Sequence, residues 1–64
     1  MDWIYPTTYN GFSIGDRIAC GSGKTAWTIT KIWVHPSNSD IWCLAVDSGK
    51  KRTVFTARNN PRKI

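Results

Sequence analysis

Apolar residues in this 64-residue chain occur in short runs that are separated by glycine, proline and other turn-forming residues. Most of the runs are rich in β-branched and aromatic residues, which favour strands, and no window repeats its apolar positions at the period of an α-helix. One short helical turn is predicted over residues 57–60, directly before a final edge strand that begins with proline. The predicted strands cover residues 17–20, 26–34, 41–46, 52–56 and 61–64.

The longest predicted strand, residues 26–34, leaves two arrangements open. Strict alternation would place Lys31 on the same face as apolar neighbours and so bury it. A bulge near Thr30 and Lys31 avoids that burial and leaves Lys31 and Trp33 outside. With the bulge, the inward-facing residues are Trp27, Ile29, Ile32 and Val34. We expect the bulge, and Trp33 beside Lys31 is then the candidate protein-binding anchor, because exposed aromatic residues dominate many binding surfaces.

A chain of 64 residues has room for one domain with one modest core, supplied mainly by its aromatic side chains. Residues 1–13 combine aromatic residues with Thr, Asn and Gly but show no helical spacing. They predict an irregular N-terminal arm that packs on a domain over residues 14–64. Cys20 and Cys43 are too few for a disulfide framework. They are interpreted as buried thiols, and a single bridge stays open if their strands are adjacent.

The order of elements carries a resemblance to a known architecture. The order is Gly15-Asp16-Arg17-Ile18, a flexible loop, Trp27 to Val34, a longer loop, Trp42 to Val46, the turn Asp47-Ser48-Gly49, Arg52 to Thr56, a short turn and Pro61. Over about residues 11–64 this order resembles an SH3-like barrel of the Tudor or KOW kind, and it is similar to small SH3-like proteins of actinobacterial phages. The resemblance implies an all-β fold, a five-stranded, strongly bent sheet used for binding rather than catalysis.

Charge is distributed unevenly along the chain. All four acidic residues lie at or before Asp47, whereas six of the nine basic residues follow it. Such an imbalance favours an anionic partner or an acidic patch on another protein. If the last two strands are neighbours, as the SH3-like order would make them, these cations share one side. With Trp33 or Phe55 exposed nearby, they suit single-stranded nucleic acid. The candidate nucleic-acid-binding residues are Lys50, Lys51, Arg52, Arg58, Arg62 and Lys63.

Motifs for catalysis, nucleotides or metals are weak. Gly23-Lys24-Thr25 matches the end of a phosphate loop, but Ile18 occupies the position of the required glycine and a strand is predicted to follow. Cys20, Cys43 and His35 lack the local spacing of metal ligands. No pair of carboxylates is placed for acid–base chemistry. We therefore expect no catalytic residue, no metal and no cofactor.

These observations predict a small non-enzymatic binding module that is a monomer or weak dimer. The expected partner is a host or phage protein, and we expect the chain itself to be phage-encoded. The alternative is a nucleic-acid-binding protein that uses the basic C-terminal third. Neither a signal peptide nor an apolar run of membrane-spanning length is recognisable, so we expect a cytoplasmic protein, of the host cell if phage-encoded, with no membrane and no small-molecule substrate.

Overall fold

The computed structural model describes residues 2–64, which form a mainly β protein. In the described part of the chain, the only helical element is a one-turn 3-10 helix at Ala57–Asn59. Over the same residues, no helix is long and apolar enough to cross a membrane. The expectation of a mainly β chain with one helical turn before the last strand is confirmed. The strands are β1 (Thr8–Tyr9), β2 (Phe12–Ser13), β3 (Arg17–Cys20), β4 (Trp27–Val34), β5 (Trp42–Asp47), β6 (Arg52–Thr56) and β7 (Pro61–Lys63).

Five of these strands form one antiparallel sheet in the order β6-β5-β4-β3-β7, and β1 pairs with β2 in a separate hairpin. The last two strands therefore lie at opposite edges, and the expectation that they are neighbours is wrong. The 3-10 turn explains this placement. It ends at Asn60, whose left-handed φ of 49° redirects the chain, and the Asn60 carbonyl accepts a 3.0 Å hydrogen bond from the Gly21 N–H beyond β3.

The five-stranded sheet is bent over its core. The Trp27 ring on β4 meets the Phe55 ring on β6 edge to face, with centroids 5.5 Å apart, although β5 lies between the two strands. A flat sheet would hold these two side chains apart. Among the described residues the edge strands β6 and β7 do not pair with each other, so hydrogen bonds do not close the sheet into a complete barrel.

The predicted bulge in the longest strand is present. Ile29 pairs with Val46 and Lys31 pairs with Ala45, so Thr30 is the extra residue between them. The bulge turns Ile29, Ile32 and Val34 into the core, where 1%, 0% and 5% of their surface is exposed. Lys31 is exposed as expected. The neighbouring Trp33 points to the other side of the sheet from the core but is half-buried rather than fully outside.

The core lies on the concave side of the sheet. Ile18, Ile32 and Leu44 are completely buried at its centre. Phe55 lies opposite Leu44 in the register of β5 and β6, and it shares the core face with it. With only 5% of its surface exposed, Phe55 is a core residue, and the expectation that it stands exposed beside the cations is wrong. Trp27 packs against the margin of this core and is half-buried.

The N-terminal segment is more ordered than the irregular arm expected. Asn10 and Gly11, with φ of 52° and 84°, form the turn of the β1–β2 hairpin. Phe12 is buried in the core and Tyr9 packs against it. Ahead of the hairpin, Ile4 makes an isolated antiparallel bridge to Val34 through hydrogen bonds of 3.0 and 2.8 Å.

Candidate protein-binding site on the outer face of the sheet

The convex side of the sheet presents a continuous surface of strand side chains. Because side chains alternate along a strand, each residue between two core positions points to this side. Trp33 on β4 pairs with Cys43 on β5, which pairs with Thr56 on β6. We call this surface the outer face and define it by Thr30, Lys31, Trp33, Cys43, Ala45, Arg52, Val54 and Thr56.

Apolar groups occupy the middle of the outer face. Lys31, Ala45 and Val54 form one row across three strands, and Val54 is 46% exposed. A shallow depression beside this row is lined by Thr30, Ala45, Arg52 and Val54, among others. A second depression includes Cys43 and Thr56 at the level of Trp33. The surface is therefore partly apolar and gently indented, which suits a protein segment better than an enclosed small molecule.

Tyr5 joins this surface from outside the sheet. The Lys31 ammonium lies 4.8 Å from the centroid of the Tyr5 ring, a cation–π contact. The bridge between Ile4 and Val34 fixes the backbone next to Tyr5, and 58% of the Tyr5 surface stays exposed. Tyr5 was not among the binding residues predicted from the sequence. Residues 3–5 are strand-favouring and indicate an extended segment. The strand that this segment joins is distant in sequence, so its position beside Lys31 could not be predicted.

The outer face and its margins carry more positive than negative charge. Lys31 and Arg52 lie on the face, and Arg58 borders the depression beside Cys43. Two acidic residues lie nearby. Asp40 also borders the depression beside Cys43, and the Asp47 carboxylate accepts the Gly49 N–H at 2.7 Å and lies 3.7 Å from Arg52. Three cations against two carboxylates leave this surface with a net positive charge, which suits an acidic partner.

The six cations predicted as a nucleic-acid site do not form a single patch. Lys50, Lys51 and Arg52 lie at the β5–β6 turn and the start of β6, at one edge of the sheet. Arg58 lies on the 3-10 turn that follows β6. The remaining two, on β7, are at the opposite edge. The strand order of the sheet, rather than distance along the chain, separates them.

The two cations on β7 are engaged in structural contacts. The Arg62 guanidinium donates to the Gly21 carbonyl at 2.6 Å and to the Gly23 carbonyl at 3.1 Å, which ties the β3–β4 loop to β7. The Lys63 ammonium lies 3.2 Å from the Asp16 carboxylate. The same carboxylate oxygen accepts the Ser13 N–H at 3.0 Å. This backbone hydrogen bond, followed by that from Lys63, lowers the pKa of Asp16 below its ordinary value.

The two thiols are free and lie on opposite sides of the sheet. Cys20 is half-buried on the core side and donates its thiol to the Asn59 carbonyl at 3.1 Å. Cys43 is half-buried on the outer face, where burial raises its thiol pKa and so disfavours the reactive thiolate. Their strands are separated by β4, so the condition for a bridge is not met. The expectation that both thiols are buried is wrong.

The remaining motifs show no arranged chemistry. Gly23-Lys24-Thr25 leads into strand β4, so the helix N-terminus that holds a nucleotide phosphate does not follow it. His35 meets the Trp3 ring edge to face, with centroids 5.3 Å apart. Within residues 2–64, no three His, Cys, Asp or Glu side chains are grouped so that they could hold a metal ion. Comparisons of the chain with protein-family models, curated proteins and solved structures gave no match.

Proposed function

We propose that this chain is a small non-enzymatic binding module that recognises a protein partner through its outer face. The observation that carries the proposal is the grouping of Tyr5, Lys31, Trp33 and Val54 on one surface from three separate parts of the chain. Aromatic rings beside a cation are the composition of many binding hot spots. The surrounding polar residues suit the rim of such an interface.

An SH3-like architecture is part of the proposal. Its support is the antiparallel five-stranded sheet with a 3-10 turn before its last strand. That strand pairs with β3 rather than with β6, which differs from the neighbouring order inferred from the sequence. The strong bend seen at Trp27 and Phe55 agrees with this class. The sequence resemblance to phage proteins makes a phage-encoded module our specific suggestion. Its partner is then a host or phage protein in the host cytoplasm.

The charge of the surface defines the expected chemistry of the partner. Lys31, Arg52 and Arg58 lie around Ala45 and Val54 and outnumber the two nearby carboxylates, Asp40 and Asp47. Asp47 is already held by Arg52 and the Gly49 N–H. An acidic partner surface would be attracted over a range of about 8–10 Å at ordinary ionic strength. The partner should therefore carry carboxylates around an apolar contact, and its association rate should fall as salt increases.

Nucleic acid is the second candidate, favoured by the exposure of Lys50, Lys51 and Arg58. Among residues 2–64, these three side chains make no ion pair. A single strand that contacted all of them would lose affinity with salt by a log–log slope of about −0.7 per phosphate. The contacts of Arg62 and Lys63 with the protein itself leave fewer cations for this function than the sequence suggested.

Affinity capture separates the two candidates. The tagged protein is incubated with lysate of its source cells, with and without nuclease, and compared with Lys31→Glu and Trp33→Ala. Lys24→Glu is the control, because it makes the same charge change on an exposed loop residue. We expect one protein to be captured whether or not nuclease is present, with capture reduced at least tenfold by both outer-face variants and kept by the control. Capture that disappears with nuclease would favour nucleic acid, and equal loss in Lys31→Glu and Lys24→Glu would contradict a role for the outer face.

A further inference from the structure

We propose that the partner supplies an acidic, extended segment that pairs with the free edge of β6 and lays alternate side chains on the outer face. This inference rests on the proposed function and adds the conformation and charge of the partner. It concerns backbone groups of β6, whereas the capture experiment for the proposed function tests the side chains of Lys31 and Trp33 on β4. The two can therefore fail separately.

The hydrogen bonds of the sheet determine which backbone groups of β6 are free. Val34 forms both of its backbone hydrogen bonds with Ile4, so the N–H and C=O groups of Val34 point away from β5. The direction of the backbone N–H and C=O groups alternates from one residue to the next along an antiparallel strand. The backbone groups of Trp33 therefore point to β5 and form hydrogen bonds with its partner Cys43. It follows that the backbone groups of Leu44, the next residue of β5, point to β6 and form hydrogen bonds with Phe55.

Applied along β6, the same alternation places the N–H and C=O groups of Thr53 and Phe55 toward β5 and those of Arg52 and Val54 outward. Two observations agree with this assignment. The Ser48 N–H donates to the Lys51 carbonyl at 3.0 Å, and the outward Thr56 N–H donates to the Asn59 side chain at 2.8 Å. An added strand can therefore use the donors and acceptors of Arg52 and Val54, and the 3-10 turn ends the edge at Thr56.

The other edge of the sheet is closed to such pairing. Strand β7 has three residues and begins at Pro61, which has no N–H. The backbone groups of Arg62 are directed to its partner Ala19, so Lys63 has the one outward N–H of this strand. Strand β6 has five residues and no proline. Of the two edges, β6 alone therefore offers a run of strand with both donors and acceptors available.

Charge identifies the occupant as an acidic segment rather than a second copy of this chain. Antiparallel pairing of two copies about Val54 would bring Lys50 of one copy to the level of Arg58 of the other. It would also leave the Lys51 charges of both copies unbalanced, whereas Arg52 already faces Asp47 at 3.7 Å. Like charges across a strand pair are destabilising. An acidic segment removes this repulsion at both ends of β6. The basic edge thus disfavours self-association and favours a carboxylate-bearing strand.

The register predicts the side-chain pattern of the added strand. The residue opposite Val54 should be apolar, because its side chain lies on the outer face beside Val54 and Ala45. The residues opposite Arg52 and Thr56 share that face and should be acidic, since they meet Arg52 and the nearby Arg58. The pattern is acidic, any residue, apolar, any residue, acidic.

A synthetic peptide tests this pattern, with its affinity measured by fluorescence anisotropy on the full chain. The probe has the sequence Glu-Glu-Thr-Val-Thr-Glu-Glu. A control of the same length and charge, Glu-Glu-Thr-Thr-Thr-Glu-Glu, has threonine in place of valine, so no register brings an apolar residue opposite Val54. We expect the probe to bind at least tenfold more tightly than the control. N-methylation of the probe valine, which removes the donor opposite Val54, should abolish the difference.

Two proline variants test the edge from the side of the protein. Val54→Pro removes an outward N–H together with the valine side chain, and Val54→Ala, which removes the side chain but keeps the N–H, is its control. Val54→Pro should keep the fold and bind the probe at least tenfold more weakly than Val54→Ala. Thr53→Pro removes a hydrogen bond to Val46 and should lower the melting temperature markedly. Equal binding of probe and control, or equal affinity of folded Val54→Pro and Val54→Ala for the probe, would overturn the edge proposal. Concentration-dependent dimerisation that Val54→Pro abolishes would show that a second copy is the occupant and would also overturn it.

Discussion

Two tryptophans on one strand have different surroundings because of a single extra residue. The bulge at Thr30 keeps Trp27 on the core side, against Phe55, and places Trp33 on the outer face opposite Cys43. The sequence was sufficient to predict this arrangement, since the alternative would have buried Lys31. It did not predict that Trp33 is half-buried, because the exposure of a side chain on this face depends on the assembled sheet rather than on the strand alone.

At this scale we predict unequal effects of removing the two rings. Trp27→Ala should lower the free energy of unfolding by about 2–3 kcal/mol, somewhat less than a fully buried ring, because Trp27 is only half-buried. Trp33→Ala should lower it by less than about 1 kcal/mol, because the side chain is outside the core. Urea unfolding followed by circular dichroism measures both values. A larger loss for Trp33→Ala than for Trp27→Ala would show that the two faces of β4 have been assigned wrongly.

Among the elements, those fixed by local chemistry were predictable and those fixed by distant pairing were not. The residue types of β3 to β6 and the turn at residues 57–60 were sufficient to locate them. The Asn10-Gly11 turn was a strong local hairpin signal that the sequence analysis did not use. The pairing of β7 with β3 depends on residues more than forty positions apart, such as Ile18 and Lys63, so no local pattern specified it.

The contact of Asp16 with Ser13 and Lys63 links the start of β3 to β7 and should make stability depend on pH. Because the folded pKa of Asp16 is lowered, its contribution to stability is present above the ordinary carboxyl pKa and is lost as pH falls through the folded value. Asp16→Asn should therefore lower the urea midpoint at pH 7 and weaken its dependence on pH between about 5 and 2. Lys63→Met should produce a smaller change, since the Ser13 hydrogen bond is the larger cause. An Asp16→Asn variant with the wild-type pH profile would contradict this role.

For the whole molecule, the strand order places residues distant in sequence on one surface and separates residues that are close in sequence. Tyr5, Lys31 and Val54 come together around the outer face. Lys51 and Lys63 are separated onto opposite edges. Charge along the chain therefore predicted the sign of the partner but not the location of the site. That location depends on the assembled sheet.

Site-specific photo-crosslinking tests the outer face most directly. The photoreactive residue p-benzoylphenylalanine replaces Tyr5 or Thr30, which leaves Lys31 and Trp33 in place, and Lys24 in the β3–β4 loop serves as the control position. Each variant is irradiated in nuclease-treated lysate of the source cells, and covalent adducts are identified by mass spectrometry. We predict the same protein adduct from positions 5 and 30 and none from position 24. An adduct from position 24 alone, or no protein adduct from either outer-face position, would contradict the outer face as the site that binds a protein partner.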